Sequence, residues 1–371
     1  MTEKISIVGP DEQKVTFIEL FFDLVFVFSV TQMVRFFHQG VNWPTIGQAV
    51  LVFWLVWWAW TQFTWTLNMA NTEHPKVLLS AFAATGVAFF MAVSVPASFG
   101  ERALWFAITY VVVRLIGLGL QYFTSALDSV QKVAMRPWIL MSFGGLIAVL
   151  IGGYLGGTAQ YWFWGLTIML DFIAASIGAQ ENVNLHPAHF AERHGLFVII
   201  ALGETLIVAA SGLANGNWSS DLLMVAVLAV VLTGGLWWTY FPKALPALEH
   251  SFNLAPIESG RRAQIARDAY SIVHFLMLAG IISYAVAIEE AILHPSAALH
   301  SEVNWIFAFG LTMFISGMSL SIKIASGKLN VKRVGISVLL AVVLILINGV
   351  TVTMSLGVAV LGVLLIAGME K

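Results

Sequence analysis

Long apolar runs alternate with short polar breaks along this chain, and most runs are close to the length that crosses a bilayer. About 20 mostly apolar residues, wound as a helix, cover roughly 30 Å of hydrocarbon. Runs of this kind lie at 17–37, 45–67, 77–98, 103–123, 137–156 and 159–178, then at 195–213, 219–241, 268–290, 303–322, 334–350 and 353–369. The pattern predicts an all-α polytopic membrane protein of about twelve transmembrane helices. The last pair is one apolar stretch broken at Asn348-Gly349 and at Thr351 to Thr353, which predicts a tight hairpin. The longest polar stretch, Pro242 to Arg267, is too short to fold as a separate extramembrane domain.

Composition agrees with the pattern. The 371 residues are 59% hydrophobic and 10% charged, against about 25% charged in a soluble protein, so the bilayer is the expected partner. A net charge of −2, from 18 basic and 20 acidic residues, leaves no basic field for nucleic acid. The absence of cysteine excludes disulfides, thiolate metal sites, iron–sulfur clusters and cysteine nucleophiles. Glycine pairs such as Gly144-Gly145 and Gly152-Gly153 read as close helix packing. They lack the strand–loop–helix setting and lysine of a nucleotide site, and no cofactor is expected. Residues 1–16 are polar, lack a cleavable apolar region, and read as a cytoplasmic N-terminal segment.

Charge assigns the sides. With twelve spans, one side collects fifteen basic residues, among them Lys4, Lys132, Arg136, Arg261, Arg262, Arg333 and Lys371, and the other only Arg35 and Arg102. Basic loops stay inside, so both termini are expected in the cytoplasm. The two groups of six also resemble each other weakly. Phe17 in the first opening segment and Phe190 in the second, the pairs Trp57-Trp58 and Trp237-Trp238, and Glu73-His74 and Glu249-His250 recur at offsets of 173, 180 and 176. A duplication into parallel-related halves, 17–178 and 179–371, is one reading; ordinary use of tryptophan at membrane interfaces is the other.

Charges inside the spans carry the chemistry. A buried ion at a helix centre costs about 2.5–3.5 kcal/mol and needs a partner or a wet surrounding. Arg114 lies mid-span with Tyr110, Gly117 and Gln121 on its face. It can be an anion-binding group or a structural bridge to Asp171 or Glu204. Those two carboxylates lie near mid-depth and suit proton coupling. Glu19 and Asp23 share a face at i, i+4; they suit proton or cation exchange, or simply favour the helix N-terminal dipole. His274, with Tyr270 and Ser271 a turn before it, is a functional candidate or a hydrogen-bonded core residue. The tryptophan-rich face of the second span (Trp54, Trp57, Trp58, Trp65) can line a cavity, or else pack or face lipid. His186, His189 and His194, with Glu192, have some of the residue types of a zinc site, but the segment opens a helix and no cysteine assists, so no metal is expected.

These segments carry a family resemblance. Glu19-Leu20-Phe21-Phe22-Asp23-Leu24-Val25-Phe26 resembles the opening motif of the bacterial low temperature requirement protein A family. Glu192-Arg193-His194-Gly195-Leu196-Phe197 continuing to Leu202-Gly203-Glu204-Thr205, and Arg267-Asp268-Ala269-Tyr270-Ser271 with His274 and Gly280, are similar to its other signatures, in the same order. The resemblance implies a polytopic bacterial inner-membrane protein connected with growth in the cold. It brings no substrate and no catalytic residue; it singles out Glu19, Asp23, Glu192, Arg193, His194, Glu204, Arg267, Asp268, Tyr270 and His274 as recurring polar positions.

Two functions fit. The first is a proton-coupled secondary transporter of a small solute, with a path lined by Arg114, Asp171 and Glu204; no large soluble nucleotide-binding domain is present to drive a primary pump. The second is a membrane-embedded enzyme acting on a lipid or lipid-linked substrate, with Glu192, Arg193 and His194 as an acid–base and anion-binding group. A channel or membrane scaffold is a further alternative.

Overall fold

The computed structural model describes residues 6–7, 9, 13–124, 129–178, 185–215, 218–256 and 260–369, with no side chains described at 129–136, 177–178 and 215. Most of the N-terminal segment, and the side chains of Lys4, Lys132, Arg136 and Lys371 used in the charge count, lie outside the described residues. Helices form at all twelve predicted runs. In chain order they are α1 (Phe17–Phe36), α2 (Trp43–Met69), α3 (Pro75–Ser94), α4 (Ala103–Thr124), α5 (Ser129–Leu155), α6 (Gly157–Gly178), α7 (Pro187–Asn215) and α8 (Ser220–Thr239). The remainder are the short α9 (Leu245–Asn253) and α10 (Arg261–Ile265), then α11 (Val273–Leu293), α12 (Ser301–Ser326), α13 (Val331–Leu346) and α14 (Val352–Met369).

Among the described residues, ten helical segments are long and apolar enough to cross a membrane, which makes this a multi-pass membrane protein. The two remaining helices at predicted spans are α6 and α13. Helix α13 has 16 residues, or about 24 Å at 1.5 Å per residue, less than the hydrocarbon thickness. In α6, Gln160, Tyr161, Trp162, Trp164 and Asp171 dilute the apolar content. The polar stretch at 242–267 is also more helical than its composition suggests. Two π-turns, Tyr240–Ala244 and Ala266–Ile272, carry α8 into α9 and α10 into α11. The first contains Pro242, whose missing N–H would break an ordinary helical ladder.

Two compact units make up the chain. The first comprises Met1–Phe36, Pro44–Arg193 and Ala255–Arg267; the second comprises Phe37–Trp43, His194–Leu254 and Asp268–Lys371.

In the first unit α2 is a buried post. Trp54, Trp57, Trp60 and Phe63 are all buried, so its tryptophan face packs against protein. Phe63 meets Phe22 of α1 at 4.6 Å between ring centroids, and Trp54 meets Phe172 of α6 at 4.6 Å. Helices α5 and α6 run antiparallel in close contact: Thr167 Oγ1 donates to the Gly145 carbonyl at 3.0 Å and Trp164 Nε1 to that of Val149 at 3.1 Å.

In the second unit α11 and α12 cross where Gly280 meets Gly310. A Cβ on Gly280 would stand 2.4 Å from the Gly310 carbonyl oxygen, an approach that only two glycines permit. The expected hairpin forms: α13 ends at Leu346, Gly349 takes φ +96°, and Val352 N–H at the start of α14 donates to the Ala297 carbonyl at 2.8 Å. Because the α11–α12 crossing is backbone against backbone, Gly280→Ala must push the helices apart. The expected loss is about 1–3 kcal/mol, read as a lower melting temperature of the detergent-solubilised protein, with Gly47→Ala, which meets nothing within 4 Å, as the unaffected control.

Candidate functional site

Three buried polar centres gather most of the intramembrane polar residues picked out in the sequence, and the first two of them carry charge. The first lies in the first unit, where α1, α2 and the opening turns of α7 meet. Glu19 reaches back to cap the start of α1, as in one half of a capping box: Thr16 N–H donates to Glu19 Oε2 at 3.0 Å, and its hydroxyl does so at 2.9 Å. One turn later, Asp23 accepts from Trp60 Nε1 at 2.7 Å and from Arg193 Nε at 3.1 Å. Arg193 Nη2 makes a second, short bond to Asp23, while Nη1 reaches Glu19 at 3.5 Å. Its guanidinium also stacks on the Trp60 ring, with Cζ 5.7 Å from the centroid. Glu19, Asp23 and Arg193 are all 0% exposed.

His189 completes this centre, and its tautomer follows from its neighbours. Asn68 Oδ1 accepts from the His186 N–H at 2.9 Å and its Nδ2 donates to the His186 carbonyl at 3.0 Å, so the amide cannot be flipped. Its Nδ2 also faces His189 Nδ1 at 3.1 Å, which makes that nitrogen an acceptor. The proton is therefore on Nε2, which lies 3.1 Å from Glu19 Oε1. A neutral His189 leaves two carboxylates against one guanidinium, and the residual charge of −1 faces the N-terminal dipole of α1. Both acids accept only from donors. This centre is saturated.

The second centre, in the same unit, is not. Arg114 of α4 and Asp171 of α6 are 1% and 2% exposed and touch through one contact, Nη2 to Oδ1 at 3.5 Å. Arg114 Nη1 donates to Tyr110 OH at 2.7 Å. Arg114 Nε and Asp171 Oδ2 close no hydrogen bond among the described residues, although the indoles of Trp54 and Trp58 lie beside the carboxylate. Gln62 of α2 presses on Gly117, where a Cβ would stand 2.8 Å from its Cδ, and both of its amide atoms are buried and unbonded. Gln121 Oε1, one turn beyond Gly117, is unbonded too. A buried polar atom without a protein partner calls for water, an ion, a ligand or a catalytic role.

The third centre lies in the second unit. Ala269 can only accept, so His274 Nδ1 donates to its carbonyl at 2.8 Å. His274 Nε2 then accepts from Tyr240 OH at 2.9 Å. Tyr270 stacks on His274 with centroids 5.2 Å apart, and His194 meets both rings edge-on at 5.0 and 5.2 Å. Ser321 Oγ adds a second donor to Ala269 at 3.0 Å. Both tyrosines sit in the π-turns, a helix form frequent at functional sites.

The residues picked from sequence are thus divided. Arg114 meets Asp171, and Glu19 meets Asp23 through Arg193. Glu204 is buried in the second unit, and among the described residues no hydrogen bond or ion pair engages its carboxylate. Glu192, Arg193 and His194 do not form one group: Glu192 is exposed, Arg193 holds Asp23, and His194 packs among aromatic rings. Arg267 and Asp268 are half-buried at the second π-turn. His189 faces Asn68 and Glu19, whereas His194 packs on Tyr270 and His274.

The sequence profile of the bacterial low temperature requirement A protein family matches residues 14–368. The chain belongs to that family. A curated relative in Rhizobium meliloti (strain 1021), named only as an uncharacterized protein, is 27% identical over 353 residues, covering 89% of this chain and 83% of its own. No solved structure matches. The two later motifs that carried the resemblance to the low temperature requirement A family acquire distinct surroundings: Arg193 of one pairs with the acids of the opening motif, and in the other His274 bonds the Ala269 carbonyl of a π-turn with Tyr270 stacked on its ring.

Trp60, Asn68, Gln62 and Tyr240 were not singled out from sequence. Trp60 was masked by the surrounding tryptophans, and Gln62 and Asn68 follow it at i+2 and i+8 on the same helix. Tyr240 carried a signal, a hydroxyl two residues before Pro242 at the end of an apolar run.

Among the described residues, Arg193 is the one guanidinium set against Glu19 and Asp23, so removing it strands both acids. Arg193→Met is expected to destabilise by about 3–5 kcal/mol, read by thermal unfolding in detergent. Adding Asp23→Asn to Arg193→Met should restore part of that loss; a double variant less stable than Arg193→Met would show that the centre is not held by charge.

Proposed function

We propose that the protein is a proton-coupled secondary transporter of a small solute in the bacterial inner membrane, with both termini in the cytoplasm. The observation that supports this reading is the contrast between two charge centres in one unit. The Glu19–Asp23–Arg193 centre has every strong bond made, as a helix lock requires. The Arg114–Asp171 pair is equally buried but its two ions meet through one long contact, and among the described residues Arg114 Nε and Asp171 Oδ2 close no hydrogen bond, while Tyr110 and the Trp54 and Trp58 indoles hold the pair's other atoms. A buried ion pair is retained against its desolvation penalty only when its geometry is good or its chemistry is needed, and intramembrane charges of this type mark substrate and proton pathways.

In this mechanism Arg114 receives a polar group of the solute and releases Asp171 as it does so. Asp171 and Glu204, whose carboxylate has no hydrogen bond or ion pair among the described residues, carry the coupled protons. Protein reconstituted in liposomes is expected to accumulate solute from a panel of labelled metabolites only with an imposed pH gradient. Asp171→Asn combined with Glu204→Gln should reduce that accumulation at least tenfold. Full uptake by the double variant would refute the carboxylate mechanism.

The sidedness has its own test. A reporter fused after Gly157 should be periplasmic, and a cytoplasmic signal there would overturn the orientation.

A further inference from the structure

The unclosed bonds around Arg114 form a defined set. On one face of α4 stand Arg114, Gly117 and Gln121; Gln62 of α2 lies against Gly117, and Asp171 of α6 faces Arg114. Helix α5 lies antiparallel to α6 with Gly145 opposite Thr167, so residues 141 and 142 stand at the level of Asp171. Ser142 there is buried with its hydroxyl unbonded. Among the described residues, the atoms left without a partner are donors at Arg114 Nε and Gln62 Nε2 and acceptors at Asp171 Oδ2, Gln62 Oε1 and Gln121 Oε1. The set has no net charge. Trp54, stacked on Trp58 with centroids 5.1 Å apart and on Phe172 at 4.6 Å, supplies an apolar wall beside it.

From this layer we infer a binding site for a small zwitterion of the amino-acid type, in which a carboxylate and an ammonium group share one carbon. The inference rests on the transporter reading for its biological use, but not for its chemistry. A ligand that enters between Arg114 and Asp171 must replace the contact it breaks. A simple anion would satisfy Arg114 and leave the Asp171 carboxylate alone at membrane depth, and a simple cation would do the reverse. Each leaves a buried charge without its counter-ion. A zwitterion exchanges one internal ion pair for two external ones: its carboxylate takes the fork of Arg114 and its ammonium takes Asp171. The Gln62 and Gln121 amides complete its hydrogen bonds, and the indole wall takes an apolar side group. No bond is made or broken in this step, and no charge changes hands.

The test compares three mixtures on the purified full-length protein in detergent. They are the common L-amino acids, the amines that lack only their carboxylates, and the acids that lack only their amino groups. The amino-acid mixture alone is expected to raise the melting temperature, by roughly 2–4 °C. Single amino acids then identify the ligand. Asp171→Asn and Gly117→Ala, the second of which forces Gln62 to move, should abolish the rise, while Gly47→Ala keeps it.

An equal rise with amines or acids would overturn the inference. So would no rise with any mixture, in which case water satisfies these atoms. Failure of the transporter reading looks different: the amino acid binds, yet liposomes containing the protein take none up under a pH gradient. Proton-driven uptake of some other solute, without amino-acid binding, would sink this inference and leave transport standing.

Discussion

The grip of Arg193 on Asp23 and Glu19 is the interaction on which the first unit depends. A charge in low dielectric has no neutral position: it is either compensated or expelled. Here the compensation ties three stretches of chain that have little else in common. Helix α1 supplies the acids, the buried post α2 supplies an indole donor and a stacking face, and α7 supplies the guanidinium and His189. The same bonds fix side-chain direction. Glu19 cannot leave without uncapping α1, and His189 cannot turn without losing its bond from Asn68 Nδ2.

Set against that lock, the Arg114–Asp171 pair is an exception within one and the same unit. It has the burial of the first centre without its bond count. In a chain selected to fold, an arginine and an aspartate could have been joined by two parallel bonds, the geometry their shapes favour. One contact at 3.5 Å leaves the pair able to separate. The third centre differs from both, being neutral. It is built of two histidines and two tyrosines around a π-turn carbonyl, and its fixed tautomer at His274 gives the second unit a polar core without an ion.

Much of this was legible in the sequence because hydrocarbon thickness sets helix length. The twelve runs became twelve helices, and the break at Asn348-Gly349 became a turn because Gly349 adopts a left-handed conformation that other residues rarely adopt. Sequence was less informative where polarity and helicity part company: α9 and α10 are polar yet helical, and the π-turns around Pro242 and Asp268 have no periodic signature. Among site residues, Arg114 and Asp171 stood out as ions in apolar runs. Their pairing did not, since Glu204 was an equal candidate partner on grounds of depth alone. Arg193 was read as part of a surface group with Glu192 and His194, because a helix start looks interfacial in sequence. Its burial depends on α1 and α2 arriving from far along the chain, which no local pattern records.

That distance has a consequence for synthesis. Arg193 and Asp23 are 170 positions apart. At about 5–20 residues per second, the cation follows its acid out of the ribosome by roughly 10–30 s. For that interval the leading helix is in the insertion machinery or at the membrane edge with two carboxylates and no counter-charge, and the indole of Trp60 is the first of their long-range donors to be made. The lock that holds the finished unit together therefore closes late. The order of translation thus sets the earliest moment at which α1 and α7 can be joined.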